Sequence, residues 1–179
     1  MTLGRLEVIV GCMFAGKTEE LLRRLVRAQI ARVRVLAFKP SMDVRYGTEN
    51  ITTHSGHSIP CTNIDTPAEI HKCITGQSVI GIDEVQFFDN NVVDVVNSLA
   101  NDGHRVIVSG LDRTSFNEPF GPIPLLLTHA ERVTKLSAVC QRCGADAHFS
   151  KRMVLDDDKI MLGGTDCYEA RCRTCWKEP

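Results

Sequence analysis

The sequence predicts an α/β fold, a mostly parallel sheet flanked by helices, followed by a small cysteine-rich segment. Three observations predict it. Short β-rich runs alternate with stretches of helical periodicity, the order that produces parallel strands joined by helical crossovers. The strand runs are apolar almost throughout, as expected where both faces of a sheet are covered. From Cys140 the pattern changes to paired cysteines, glycines and short polar stretches. That change places a domain boundary near residue 139, dividing 1–139 from 140–179.

Residues 6–10 (L-E-V-I-V) read as the first strand, ending at Gly11. Residues 17–32 read as a helix, because Leu21, Leu22, Leu25, Val26 and Ile30 recur at helical spacing among Glu and Arg. Residues 33–38 form a second strand stopped by Pro40. Residues 40–66 are polar and show no clear period. Residues 67–74 suit a short helix with Pro67 in its first turn. Residues 78–82 (S-V-I-G-I) are an apolar strand running into Asp83 and Glu84. Val92, Val93, Val96 and Leu99 give 89–101 a helical stripe, with Gly103 as its stop. Residues 105–109 form another strand, 112–124 are irregular, 124–132 is helical and 133–139 is a last strand. Asp156, Asp157 and Asp158 read as a solvated turn.

Length and composition narrow the class. At 179 residues the chain suits one domain with an appendage. Hydrophobic residues at 43% and charged residues at 24% argue against disorder, a fibre or a membrane protein. No apolar run approaches the ~18 residues that span a bilayer. The first residues lack the basic-then-apolar order of a secretory signal. A net charge of −1 disfavours a polynucleotide partner.

Gly11 to Thr18 reads G-C-M-F-A-G-K-T and matches G-x-x-x-x-G-K-[ST] at every fixed position. It follows a predicted strand and opens a predicted helix, the context the motif requires. The loop comprises Gly11, Cys12, Met13, Phe14, Ala15, Gly16, Lys17 and Thr18. Its N–H groups and the helix N-terminus would face a triphosphate. Lys17 would reach the β- and γ-phosphates, and the Thr18 hydroxyl would approach Mg²⁺. The bland alternative is a glycine-containing turn that matches by chance. The loop alone indicates a nucleoside triphosphate, not a kinase. Asp83, at the end of an apolar strand, has the pattern of a carboxylate that holds Mg²⁺. Glu84 beside it is a candidate general base, with a solvated loop carboxylate as the plainer role. His54 reads most simply as a solvated loop histidine.

Of eight cysteines, four form the pairs Cys140-x-x-Cys143 and Cys172-x-x-Cys175. Four thiolates can close a tetrahedral structural Zn²⁺ site. Disulfides, a redox dithiol and an iron–sulfur cluster are the alternatives, with zinc the default for two complete pairs. The segment 144–171 is longer than the ~15–20 residues of a compact ribbon. A long insertion clipped at its base suggests a loop held over something.

These pieces together resemble the thymidine kinase family of the small zinc-containing type found in animals, poxviruses and many bacteria. The resemblance runs from about Leu6 to Trp176. It rests on G-C-M-F-A-G-K-T, D-V-R-Y-G, T-H-S-G, I-D-E-V-Q-F-F, G-L-D, P-F-G, A-V-C-Q-R-C-G, S-K-R, L-G-G and Y-E-A-R-C-R-T-C. It implies a phosphate-loop NTPase-like sheet with a zinc-bound "lasso" over the nucleoside. It implies that Asp43, Val44 and Arg45 lie near the phosphates, that Asp83 and Gln86 sit at the metal and phosphate site, and that Glu84 takes the proton of the 5′-hydroxyl. Met13 and Phe120 would help wall the base pocket. The backbone of Lys159, Ile160, Met161, Leu162 and Gly163 and the side chain of Tyr168 would hold base and sugar. The family usually carries an aromatic residue at the position of Ser115, and Phe116 is the nearest substitute here. The resemblance further implies ATP and thymidine as substrates, structural Zn²⁺, Mg²⁺ with ATP, inhibition by thymidine triphosphate and a cytoplasmic homotetramer.

Two readings of other classes compete. A nucleotide-driven switch ATPase with a zinc module would release phosphate without any nucleoside. A zinc-ribbon nucleic-acid binder would need a basic surface near the cysteines, yet acidic and basic residues balance across 151–179.

Overall fold

The computed structural model describes residues 4–43, 50–52, 56, 58–76, 78–154 and 166–178. Its centre is a six-stranded sheet built from β1 (Arg5–Gly11), β2 (Val35–Pro40), β5 (Thr62–Ile64), β6 (Val79–Ile82), β7 (Arg105–Leu111) and β8 (Arg132–Leu136). The order is β5-β2-β6-β7-β1-β8, and every neighbouring pair is parallel. The helices are α1 (Lys17–Ile30), α2 (Ile70–Cys73), α3 (Asn91–Asn101) and α4 (Ile123–His129). A short antiparallel pair, β3 (Asn50–Thr52) and β4 (Ser58–Pro60), accompanies them.

Alternation along the strands divides the core in two. Leu6, Val8 and Val10 of β1 face a cluster with Ile80, Ile82, Val106 and Val108, covered by Ile70, the α3 stripe of Val92, Val93, Val96 and Leu99, and Ile123 and Leu126 of α4. Ile9 and Ile107 face the other side, against Leu21, Leu22, Leu25 and Ala28 of α1 and Ile51 and Ile59. The same face holds Glu7, which is fully buried. Its carboxylate accepts Arg24 Nη1 at 2.7 Å, Arg105 Nε at 2.7 Å and Arg5 Nε at 2.8 Å. Burial pushes this group up, but the hydrogen bond and charge of Arg105, then those of Arg5, outweigh it and hold it at about 2.

Three expectations change. The first helix ends at Ile30, because Arg32 turns left-handed at φ 58° and Val33 N–H closes on the Ala28 carbonyl at 3.0 Å. Val26 and Ile30 then lie outside the core, at 40% and 76% exposure. The strand expected at 133–139 is two. β8 stays parallel to β1 only until β1 ends at Gly11, and β9 (Ala138–Val139) takes an antiparallel partner, β10 (Asp146–Ala147). The polar stretch 40–66 contains β3, β4 and β5, whose single buried isoleucines, Ile51, Ile59 and Ile64, are too few to print a period.

Beyond β10, β11 (Phe149–Arg152) pairs antiparallel with β12 (Tyr168–Arg171), and α5 (Arg173–Lys177) follows. Among the described residues, the strands from Ala138 onward ladder only with one another. No helix of the described residues is long and apolar enough to cross a membrane.

Candidate active site

The C-terminal ends of β1, β6 and β7 lie side by side, which is where open parallel sheets place ligands. β1 delivers the phosphate loop. Gly16 stands at φ 78°, a conformation that favours glycine, and opens α1. A side chain at Gly11 would come within 2.6 Å of the Leu136 carbonyl oxygen. Phe14 is also left-handed, at φ 64°, a strained setting for a bulky residue. Lys17 Nζ donates to the Cys12 carbonyl at 2.9 Å, so its amine folds back over the loop.

β6 delivers the carboxylates. The Thr18 hydroxyl donates to Asp83 at 3.0 Å, and the Ser109 hydroxyl donates to the other oxygen of the same carboxylate. The register explains Ser109: Ile82 of β6 pairs with Val108 of β7, so the next residue on each strand meets its counterpart. Burial, then the charge of Glu84, pushes Asp83 up to about 6. A cation within reach would favour its ionised form. A hard divalent ion therefore fits this pair, with one buried carboxylate and one hydroxyl already turned to each other.

Glu84 is left-handed at φ 52° and leads into the single turn Val85–Phe87. Strained non-glycine backbone of this kind clusters at functional sites. The buried Gln86 amide donates to the Glu84 carboxylate, while its oxygen accepts the Leu111 N–H at 3.1 Å. Gln86 thus locks the Glu84 loop to the end of β7. Asp43, also buried, closes the turn after β2, its N–H on the Pro40 carbonyl at 3.0 Å.

Beside these groups lies a cavity of about 450 Å³, walled by Met42, Gln86, Phe87, Thr114, Phe120 and Gly121 among others. Phe87 and Phe120 meet edge to face, with ring centroids 5.8 Å apart. A wall that mixes phenylalanine rings and other apolar groups with a few polar ones suits a flat, partly apolar ligand.

The sulfurs of Cys140, Cys143, Cys172 and Cys175 lie within 4.8 Å of one another. Cys172 Sγ accepts the Cys175 N–H at 3.4 Å, and this bond lowers the Cys172 thiol pKa. Four sulfurs so gathered suit a tetrahedral metal. The segment also touches the phosphate loop. Cys12 Sγ donates to the Ala147 carbonyl at 3.3 Å, and Met13 N–H donates to Ser150 Oγ at 3.0 Å.

The structure therefore brings Gly11 to Thr18, Asp83, Glu84 and Gln86 together at the C-terminal ends of the central strands. Phe120 lines the cavity, whereas Met13, Phe116 and Tyr168 are not among its walls. Met13 lies on the seam to Ser150, and Phe116 is 55% exposed with the Arg152 guanidinium 5.7 Å from its ring. Tyr168 is buried at the start of β12. Val44, Arg45, His54, Asp156 to Asp158 and Lys159 to Gly163 lie outside the described residues. Sequence reading missed Ser109 and Ser150. The strand order could have signalled Ser109, once β7 was placed beside β6.

A family model described as thymidine kinase matches residues 4–176. The chain is 50% identical over 173 residues to a thymidine kinase of Bacteroides thetaiotaomicron, covering 97% of this chain and 87% of the relative. It is 48% identical to one of a Rhodothermus species, covering 99% and 84%, and 47% identical to one of Porphyromonas gingivalis, covering 98% and 86%. Among solved structures it is similar to domain III of the Thermotoga maritima replication initiation protein DnaA, at a TM-score of 0.43 and 16% identity, over 75% of this chain and 56% of that one. The chain belongs to the thymidine kinase family.

Proposed function

We propose that this enzyme transfers the γ-phosphoryl group of ATP to the 5′-hydroxyl of thymidine, and of deoxyuridine, for deoxynucleotide salvage. The observation that carries the reading is the Thr18–Asp83–Glu84 arrangement beside an aromatic cavity. The phosphate loop, Gly11 to Thr18, holds the donor, with Asp43 to Arg45 alongside. Lys17 leaves the Cys12 carbonyl for the phosphates. Asp83 and Thr18 hold the Mg²⁺ that accompanies ATP, which neutralises charge on the transferring group. Glu84 accepts the proton of the 5′-hydroxyl as that oxygen bonds to the γ-phosphorus and the bond to ADP breaks. Gln86 keeps the Glu84 carboxylate turned to the acceptor. Phe120 and Phe87 pack the base, with Met13, Phe116, Tyr168 and the backbone of 159–163 completing the enclosure.

The four cysteines hold one structural Zn²⁺, which fixes the base of the segment 140–179 as a separate lasso domain on the 1–139 body. The working enzyme is a cytoplasmic homotetramer inhibited by thymidine triphosphate. The test is a nucleoside panel with ATP and Mg²⁺. Thymidine and deoxyuridine should be phosphorylated and deoxycytidine should not. Phosphate release that is equally fast with no nucleoside would support the switch ATPase instead.

A further inference from the structure

Residues 112–120 form a small hairpin along one side of the cavity. Arg113 bridges Pro119 across it, and Thr114 N–H donates to the Glu118 carbonyl at 2.9 Å. The Thr114 hydroxyl accepts the N–H groups of Phe116 and Glu118, both at 3.3 Å. Thr114, Glu118, Pro119 and Phe120 all line the cavity. Yet no residue from Asp112 to Pro119 is buried. Local hydrogen bonds shape the hairpin, but they do not say where it stands relative to the rest of the molecule.

Arg113 supplies an external anchor. In its own plane Nη1 donates to Asn117 Oδ1 at 2.9 Å, and Nη2 pairs with Asp112 at 3.4 Å. Its face lies over the Phe149 ring, 4.9 Å from the centroid. Phe149 is 2% exposed and stacks on Trp176 at 5.1 Å, with the Arg173 guanidinium also at 4.9 Å. Trp176 follows Cys175 on α5, and Cys172 immediately precedes that helix. The hairpin is thus joined through one guanidinium to an aromatic stack rooted beside two of the four clustered thiols. A planar guanidinium can hydrogen-bond at its edge while its face stacks, which an ammonium cannot do.

We propose that Arg113 is a positioning residue for the nucleoside: through Phe149 it fixes the hairpin, and with it the Phe120 wall, to the cysteine-bound segment. The inference rests on the cavity being the acceptor site. It makes acceptor binding depend on the C-terminal segment by a route separate from the lasso residues, and it leaves the phosphate loop out of that route.

The test is steady-state kinetics on the full chain, comparing wild type, Arg113→Ala, Arg113→Lys and Phe149→Leu, with Arg113→Met as the variant that keeps the packed stem. Arg113→Ala should raise KM for thymidine about five- to twentyfold, while KM for ATP stays within about twofold and kcat falls at most about threefold. Arg113→Lys should recover part of the loss. In the Phe149→Leu background Arg113→Ala should cost little more, since the two act as one unit. Should the alanine variant fail to fold, Arg113→Met must show the same split. An unmoved thymidine KM, equal effects on both substrates, or full additivity with Phe149→Leu overturns the inference. Wild-type enzyme that phosphorylates no thymidine overturns the acceptor reading and this inference with it. Normal wild-type turnover with an unmoved Arg113→Ala sinks this inference alone.

Discussion

In the sheet body, Leu21, Leu22 and Leu25 of α1 pack on Ile9 and Ile107, and a second large cluster fills the opposite face. Where the C-terminal segment meets the phosphate loop, the cluster is Cys12 of that loop with Ala138, Cys140, Ala147, Ala170 and Cys175. The two regions are packed with side chains of different size. A leucine brings several buried methylenes, each worth about 0.8 kcal/mol, whereas an alanine brings one methyl group. The body therefore carries its phosphate loop and Asp83 on a hydrophobic core. The segment's apolar core is smaller, these small side chains together with the buried Phe149 and Tyr168, and its four clustered sulfurs suit a metal that would cross-link it. The two regions also meet at the site: Thr18 and Asp83 pair within the body, Cys12 and Met13 of the phosphate loop lean on Ala147 and Ser150 of the C-terminal segment, and the cavity walls among the described residues come from the body.

Three substitutions in the body sharpen this contrast, in order of effect. Lys17→Ala should cut turnover at least about a thousandfold, because it removes a cation aimed at transferring phosphate. Melting temperature should hardly change, as among the described residues the Lys17 amine hydrogen-bonds only the Cys12 carbonyl. Near-normal turnover in a folded variant would remove the phosphate-loop reading. Glu84→Gln should lower kcat by about 10² to 10⁴, the usual worth of a positioned general base, with both Michaelis constants little changed. If more than about a tenth of turnover survives, the transfer runs on positioning and electrostatics alone.

Glu7 probes the body's stability rather than its chemistry. Held at about 2 against an ordinary 4.5, its carboxylate favours the fold wherever it is ionised in both states. Its contribution is complete above about pH 4.5 and is lost as pH falls toward 2. Glu7→Gln should therefore cost about 2–3 kcal/mol at pH 7, and the gap to wild type should close in acid. Urea unfolding at pH 7 and pH 3 measures this. A gap independent of pH would mean that shape, not charge, matters at this position. Bound metal should be equal in the two proteins, because the network lies within the sheet body.

The body was readable wherever buried side chains repeat at a fixed period. The stripe Val92, Val93, Val96, Leu99 announced α3, and the apolar run before Asp83 announced β6 and the carboxylate at its end. Val26 and Ile30 misled because spacing says which residues share a face, not how far along the helix the sheet covers it. β3, β4 and β5 were hidden because three-residue strands present one buried side chain each. At the site, the phosphate loop, Asp83 and the cysteine pairs are short-range patterns and so were visible. Ser109 and Ser150 reach their partners only through tertiary pairing, 26 and 137 positions along the chain from Asp83 and Met13. Nothing local marks Ser109, and the S-K-R motif that begins at Ser150 does not name its partner.

The proposed dependence of acceptor binding on a zinc-bound C-terminal segment is tested most directly by removing the metal. Wild-type enzyme is stripped with a zinc chelator, and the binding of ATP and of thymidine is measured by calorimetry before stripping, after it, and after zinc is restored. The account predicts about one zinc per chain, a loss of thymidine affinity of at least about thirtyfold, a change in ATP affinity of no more than about threefold, and recovery with zinc. Thymidine affinity that survives stripping, or ATP and thymidine affinities that fall together, would contradict it.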